Sequence, residues 1–294
     1  MVAPILLDTD IGSDIDDAMA LAYLLAHPDC ELLGITTVTG EAEKRCRMAS
    51  ALCELAGRKV PIHSGMESPL KAVPRQTQCP QAEGLSRRTH STGFAPGTAV
   101  DFLRDVIRSR PGEVTLLAIG PLTNIAVLFT RSPEIPRLLK SLVLMAGAFT
   151  DACSRGTHME WNVQLDPEAA DIVYRAPVPR LLSVGLDVTT QVVMDGTKFL
   201  DECGKRRLLG PVADFTRVWL KDNATVTFHD PLAAALIFEP TLCGLSRGRI
   251  TVELEREGSQ GATWFSPDDP KGPHEVAWSV EKDRFLEHYF RVLE

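Results

Sequence analysis

Five carboxylates fall within ten residues near the start of the chain, in DTDIGSDIDD: Asp8, Asp10, Asp14, Asp16 and Asp17. Asp8 and Asp10 end a strand-like apolar run, and Asp16 and Asp17 open a helical one. Acids at a helix N-terminus gain about 0.3 to 1 kcal/mol each from capping and the dipole, which accounts for one or two of the five. Crowded carboxylates otherwise repel unless a proton or a cation intervenes. A hard divalent cation resolves the crowding, and Ca²⁺, which takes roughly 6 to 8 oxygen ligands in tolerant geometry, is the natural candidate. Its remaining ligands must come from elsewhere in the chain.

The elements that would position these acids follow from the apolar pattern. PILLD (4–8) reads as a buried strand, DDAMALAYLLAH (16–27) as a helix, and ELLGITTVTG (31–40) as a second strand. A helix over 42–57, closed by Gly57, leads to the short strand PIHSG (61–65). Residues 66–97 are rich in Pro and Gly with little periodicity, and a loop of that length in a compact fold is usually functional. Alternation then resumes with helix 98–110, strand 113–120, helix 123–132 and strand 141–149. Asp166 before Pro167 signals a helix start, and RLLSVGLDV (180–188) is expected as a strand. The strands lack polar alternation, which predicts an α/β fold: a mostly parallel open sheet with helices on both faces and active groups at the carboxyl ends of strands. RITVELERE (249–257) and EVAWSV (275–280) are expected as a hairpin or edge strands before a last helix, 281–293. One domain over 1–294 is expected.

Composition narrows the function. A chain of 294 residues, 44% hydrophobic, carries enough apolar surface for a large core. A net charge of −8 argues against a nucleic-acid binder. Arg87-Arg88 and Lys205-Arg206-Arg207 read as solvated surface. No run approaches the roughly 18 apolar residues of a membrane span, and the short, quickly acidic start does not read as a signal peptide, so no membrane role and a cytoplasmic location are expected. Seven cysteines without a C-x-x-C pair read as reduced thiols.

DTDIGSDIDDAMAL resembles the D-x-D-P-G-x-D-D signature of the inosine-uridine-preferring nucleoside hydrolases. AIGPLTNIA (118–126), MEWNVQLDPEAA (159–170), LDVT (186–189) and HDPLAAA (229–235) agree with that family in order. The resemblance implies the nucleoside hydrolase fold, hydrolysis of the N-glycosidic bond of ribonucleosides, a bound Ca²⁺, and assembly as a homodimer or homotetramer. It assigns Asp10 as metal ligand and general base, and Asp17, the Thr123 carbonyl and Asp230 as further ligands. Asp8 would support them. Asp16, Glu160 and Asn162 would hold the ribose, and His229 would protonate the leaving base.

That chemistry is coherent with the residue types. Breaking a C1′–N bond builds positive charge on the sugar, which favours a site rich in oxygen acceptors. The chain departs from the family pattern in three places. G-x-D-D becomes GSDIDD, with Asp14 in the two-residue insertion and without an assigned role. Glu41 stands where an Asn commonly contacts ribose and is taken as substrate-binding, and Ser154 stands where another Asn is expected. These changes suggest altered recognition of the sugar or its 5′ group. His158 is expected either at the pocket border or in an ordinary loop, and His90 facing solvent. Trp161, Trp264 and Trp278 are expected to pack in the protein. Two alternatives compete: a Mg²⁺-dependent phosphohydrolase using DTDIG as an aspartyl nucleophile loop, against which Gly12 counts, and a non-catalytic nucleoside-binding protein.

Overall fold

The structure is a computed structural model that describes residues 2–151, 157–267, 269 and 271–294. The first strand, β1 (Ala3–Thr9), runs through the centre of a sheet with β2 (Cys30–Thr37), β3 (Ile62–Ser64), β4 (Thr115–Ala118), β5 (Ser141–Leu144) and β6 (Leu181–Ser183). These six are all parallel, in the order β3-β2-β1-β4-β5-β6. A two-stranded ribbon lies apart, β7 (Val193–Asp195) with β8 (Thr225–Thr227). The sheet is completed beyond β6 by β9 (Cys243–Val252), β10 (Thr263–Ser266) and β11 (His274–Val280). β11 is parallel to β6, while β9 runs antiparallel to both β11 and β10. The expected hairpin is therefore an edge unit in which the later strand lies inside the earlier one.

Both faces are covered. Ile5 and Leu7 of β1 enter one core with helices α1 (Asp16–Ala26) and α2 (Ala42–Ala56), while Leu6 enters the other with α3 (Ala99–Ser109) and α4 (Thr123–Arg131). Alternate residues of a strand point to opposite faces, so a strand covered twice is apolar at every position. The remaining helices are α5 (Ile135–Leu138), α6 (Trp161–Leu165), α7 (Pro167–Tyr174), α8 (Leu186–Thr189), α9 (Gly196–Gly204), α10 (Gly210–Trp219), α11 (His229–Ala235) and α12 (Lys282–Val292). Among the described residues no helix is long and apolar enough to cross a membrane.

Three expected elements differ. RLLSVGLDV is a strand only to Ser183: the chain turns at Gly185, the Leu186 amide donates to Gly147 O, and Leu186–Thr189 coils into α8. The segment around Trp161 is extended only as far as Glu160, whose carboxylate caps α6. The 66–97 stretch contains a 3-10 turn over Pro80–Arg87. The six described cysteines are buried free thiols. Trp264 and Trp278 are each 46% exposed, so the expected packing holds for only part of each ring.

The strand order reverses direction between β1 and β4, and in open α/β sheets ligands bind outside the carboxyl ends of strands at that point. β1 delivers Asp8 and Asp10 to it directly.

Candidate active site

A cavity of about 590 Å³ opens at the switch point, lined by Asp10, Asp14, Asp16, Asp17, Glu160, Asn162, His229 and Asp230 among others. Four elements bring these groups together. The loop after β1 supplies Asp10 and Asp14, and the first turn of α1 supplies Asp16 and Asp17. The Glu160 cap and α6 supply the next pair, and the first turn of α11 supplies His229 and Asp230. Carboxylate oxygens of Asp16, Asp17 and Asp230 lie within 4.8 Å of one another, and all three side chains are buried.

Asp16 and Asp17 do not act as caps. The residue preceding α1, Ile15, makes no side-chain cap bond. Asp16 instead accepts from Asp230 N at 3.3 Å, and Asp17 from Asp10 N at 3.1 Å and from Thr9 Oγ1. Burial, followed by the neighbouring carboxylates, pushes the pKa of Asp16, Asp17 and Asp230 well above the usual range. An all-oxygen set strained by like charge fits a hard divalent cation. Asp10 is raised by burial too, opposed mainly by the nearby Arg45 guanidinium. Its carboxylate accepts from Gln76 Nε2. Asp8 lies beneath the loop, holding Thr36 Oγ1 and Asn124 Nδ2. Burial lifts it to about 7, and its Oδ2 has no hydrogen-bond partner among the described residues.

The opposite wall is built differently. Glu160 accepts from Asn162 N at 2.7 Å, Val163 N at 3.1 Å and Gly147 N at 3.3 Å, while burial still raises it to about 7. Asn162 Nδ2 donates to Ile119 O and Met145 O, which fixes the amide against the ends of β4 and β5. His229 meets Thr189 Oγ1 at 2.7 Å through Nδ1, and burial pushes its pKa down to about 4. The imidazole is therefore neutral near pH 7.

Two expected site residues are placed elsewhere. Glu41 does not line the cavity: its carboxylate turns away to accept from Cys79 N at 2.8 Å and from Lys44 Nζ. Thr123 is the first residue of α4, where its carbonyl serves the helix ladder, and its hydroxyl donates to Asp166 Oδ2 at 2.7 Å. Ile119, just beyond β4, lines the cavity in its stead. Asp16, expected to face ribose, lines the cavity with its carboxylate within 4.8 Å of those of Asp17 and Asp230. Asp14 lines the cavity, accepts from Ile15 N, and is raised by burial to about 6. His158 is buried against Ala148 O and Asp151 and is not part of the lining, and His90 bonds Arg88 O outside the cavity. Ser154 lies outside the described residues. Trp161, expected in the core, is 44% exposed at the cavity, with Nε1 donating to Gln76 Oε1 at 2.7 Å.

Gln76, Trp219 and Arg45 were not anticipated. Gln76 lines the cavity from the long segment ahead of the 3-10 turn, whose sequence carries no periodic signal, and Trp219 lines it from the last residue of α10. Arg45 does carry one: residues 45, 49 and 52 share the buried face of α2, and an arginine there is out of place.

Fold and site define a class: α/β proteins with a carboxylate-lined small-molecule cavity at the switch point of a parallel sheet. The pattern of the family described as inosine-uridine preferring nucleoside hydrolase matches residues 5–287. Uridine nucleosidase 1 of Arabidopsis thaliana is 32% identical, covering 97% of this chain and 91% of the relative. The non-specific ribonucleoside hydrolase RihC of Shigella boydii is 34% identical, covering 96% and 95%. A purine-preferring ribonucleoside hydrolase from Gardnerella vaginalis superposes with a TM-score of 0.85 at 28% identity, covering 99% of this chain and 98% of the other. The chain belongs to the inosine-uridine preferring nucleoside hydrolase family, whose members are enzymes that hydrolyse ribonucleosides.

Proposed function

We propose that the protein hydrolyses the N-glycosidic bond of ribonucleosides with the help of Ca²⁺. The observation that carries this is the composition of the cavity wall. Six carboxylates line it, and no lysine or arginine does among the described lining residues. A leaving-group departure that builds positive charge on the sugar is favoured there. A phosphorylated substrate, which needs cationic side chains, is not, and this weighs against the phosphohydrolase alternative.

Asp10, Asp17 and Asp230 would hold the cation, joined by Asp16. The backbone oxygen assigned by resemblance to Thr123 would come from Ile119 instead. Held there, a cation would supply the charge that lowers the pKa of a water and orients it, and would offset the mutual repulsion of these acids. Asp10 takes a proton from the attacking water as general base, and Gln76 holds its carboxylate in place. Asn162 and Glu160 hold ribose hydroxyls from the opposite wall. His229 is neutral in the free cavity. With Thr189 Oγ1 donating to Nδ1, it offers an Nε2–H to the base nitrogen on which charge accumulates, as a hydrogen-bond donor rather than a preloaded acid.

The test is incubation with inosine, uridine, cytidine and their 5′-phosphates. Ribose and free base should be released from unphosphorylated nucleosides, and Asp10→Asn should slow this by about 10² to 10⁴-fold. Phosphate release without base release would contradict the reading.

A further inference from the structure

Arg45 has no exposed surface, and its guanidinium is taken up by backbone carbonyls and one hydroxyl. It donates to the carbonyls of Asp10 and Ile11, to Ser13 Oγ at 3.0 Å, to Gly40 O at 2.9 Å and to Gln78 O at 2.8 Å. One side chain thus ties together the lengthened acid loop, the turn before α2, and the segment 76–79. That segment is laid directly on the turn. Gln76 O accepts from Gly40 N and Thr39 Oγ1, and a Cβ at Gly40 would meet the Thr77 backbone at 2.5 Å. Glu41 adds its bond to Cys79 N, and a Cβ at Gly12 would meet Cys79 Sγ. The outer end of the strap is held by Arg75, 4.6 Å from the Trp161 ring centroid, and by Gln76 between Asp10 and Trp161 Nε1.

We propose that Arg45 is a positioning residue for this site: from beneath the acid loop it fixes the backbone of Asp10 to Ser13 and fastens the 76–79 strap, so that Gln76 is delivered onto the Asp10 carboxylate. The inference rests on the proposed role of Asp10 for its effect on turnover, but not for its effect on the strap. An arginine suits the task because its planar fork spreads five donors over several carbonyls. Lysine keeps the charge and loses the fork. Glu41 then belongs to the strap's socket rather than to the ribose, which explains its orientation away from the cavity.

The test uses Arg45→Lys, Gln76→Ala, the double variant and Gly40→Ala. Gly40→Ala presses on Thr77 with the Arg45 side chain itself retained, and guards against a folding failure of the arginine variant. Limited tryptic cleavage after Lys71 and Arg75 reads the strap whether or not the substrate is right. It should accelerate about tenfold in Arg45→Lys and in Gly40→Ala, since cleavage tracks the population of the opened segment. With a nucleoside that the wild type cleaves, kcat should fall about tenfold or more in Arg45→Lys with KM changed less than about threefold. Gln76→Ala added to Arg45→Lys should cost no more than Arg45→Lys alone, the signature of residues acting through one link. Unchanged strap cleavage in folded Arg45→Lys, or in Gly40→Ala where the arginine variant does not fold, or fully additive kcat losses in the double variant, overturns the proposal. A wild type that cleaves no nucleoside but shows the cleavage pattern overturns the functional reading while leaving Arg45 as the strap's anchor.

Discussion

Carboxylates on the two walls of one cavity are treated in opposite ways. Glu160, with Asp166 in the adjoining turn, sits before a helix and accepts backbone amides: three for Glu160, and the Ala169 and Leu70 amides for Asp166. Each is satisfied within the chain. Asp16, Asp17 and Asp230 gather at the N-terminal ends of α1 and α11 with one another as neighbours, Asp16 and Asp17 each accepting a single amide, and their charges add. The same side-chain chemistry is therefore satisfied by backbone amides on one wall and crowded by like charge on the other. Helix-start geometry alone does not set an acid apart as a candidate metal ligand; mutual crowding is the distinguishing feature.

The largest expected consequence separates the walls by sign. Asp17→Asn should reduce turnover by about 10² to 10³-fold or more, since it removes an electrostatic group from the reacting centre. It should leave the chelated protein as stable as before or more so, because a buried like charge is relieved; calorimetry with and without chelator checks this. Glu160→Gln should act the other way on stability, lowering it by about 1 kcal/mol as a lost cap, read from denaturant midpoints. If both variants destabilised the chelated protein equally, the distinction between the walls would fail.

A smaller effect is set by pH. Asp8 and Glu160 have folded pKa values near 7, above their unfolded values of 3.8 and 4.5. A raised folded pKa contributes stability that is complete below the unfolded value and lost as pH rises through the folded one. The chelated protein should therefore melt at lower temperature at pH 8 than at pH 6, and Ca²⁺ should shrink the difference by compensating the ionised acids. A melting temperature that rises over this interval without metal would count against the buried, raised acids.

The parallel sheet was legible because its strands are doubly buried and hence continuously apolar, and the acid loop because five aspartates cannot be explained as caps. Glu41 and Thr123 were misplaced for physical reasons. Glu41 follows a turn in which both Thr39 and Glu41 have positive φ, 68° and 58°, and this swings its carboxylate to the strap. Thr123 falls inside a helix, where its carbonyl is committed. Gln76 reaches Asp10 across 66 residues and Arg45 reaches its carbonyl across 35, contacts that local periodicity does not encode. Trp161 is exposed because it is the first residue of α6, with its indole turned to Gln76 and Arg75 rather than into the core.

The central claim is that the crowded acids hold a divalent cation for ribonucleoside hydrolysis. The most direct measurement is the release of free base from inosine or uridine by the chelated protein during titration with Ca²⁺, with Asp17→Asn alongside. The account predicts that activity disappears on chelation, returns saturably with Ca²⁺, and does not return in Asp17→Asn at the same concentrations. Undiminished base release after complete chelation would contradict it.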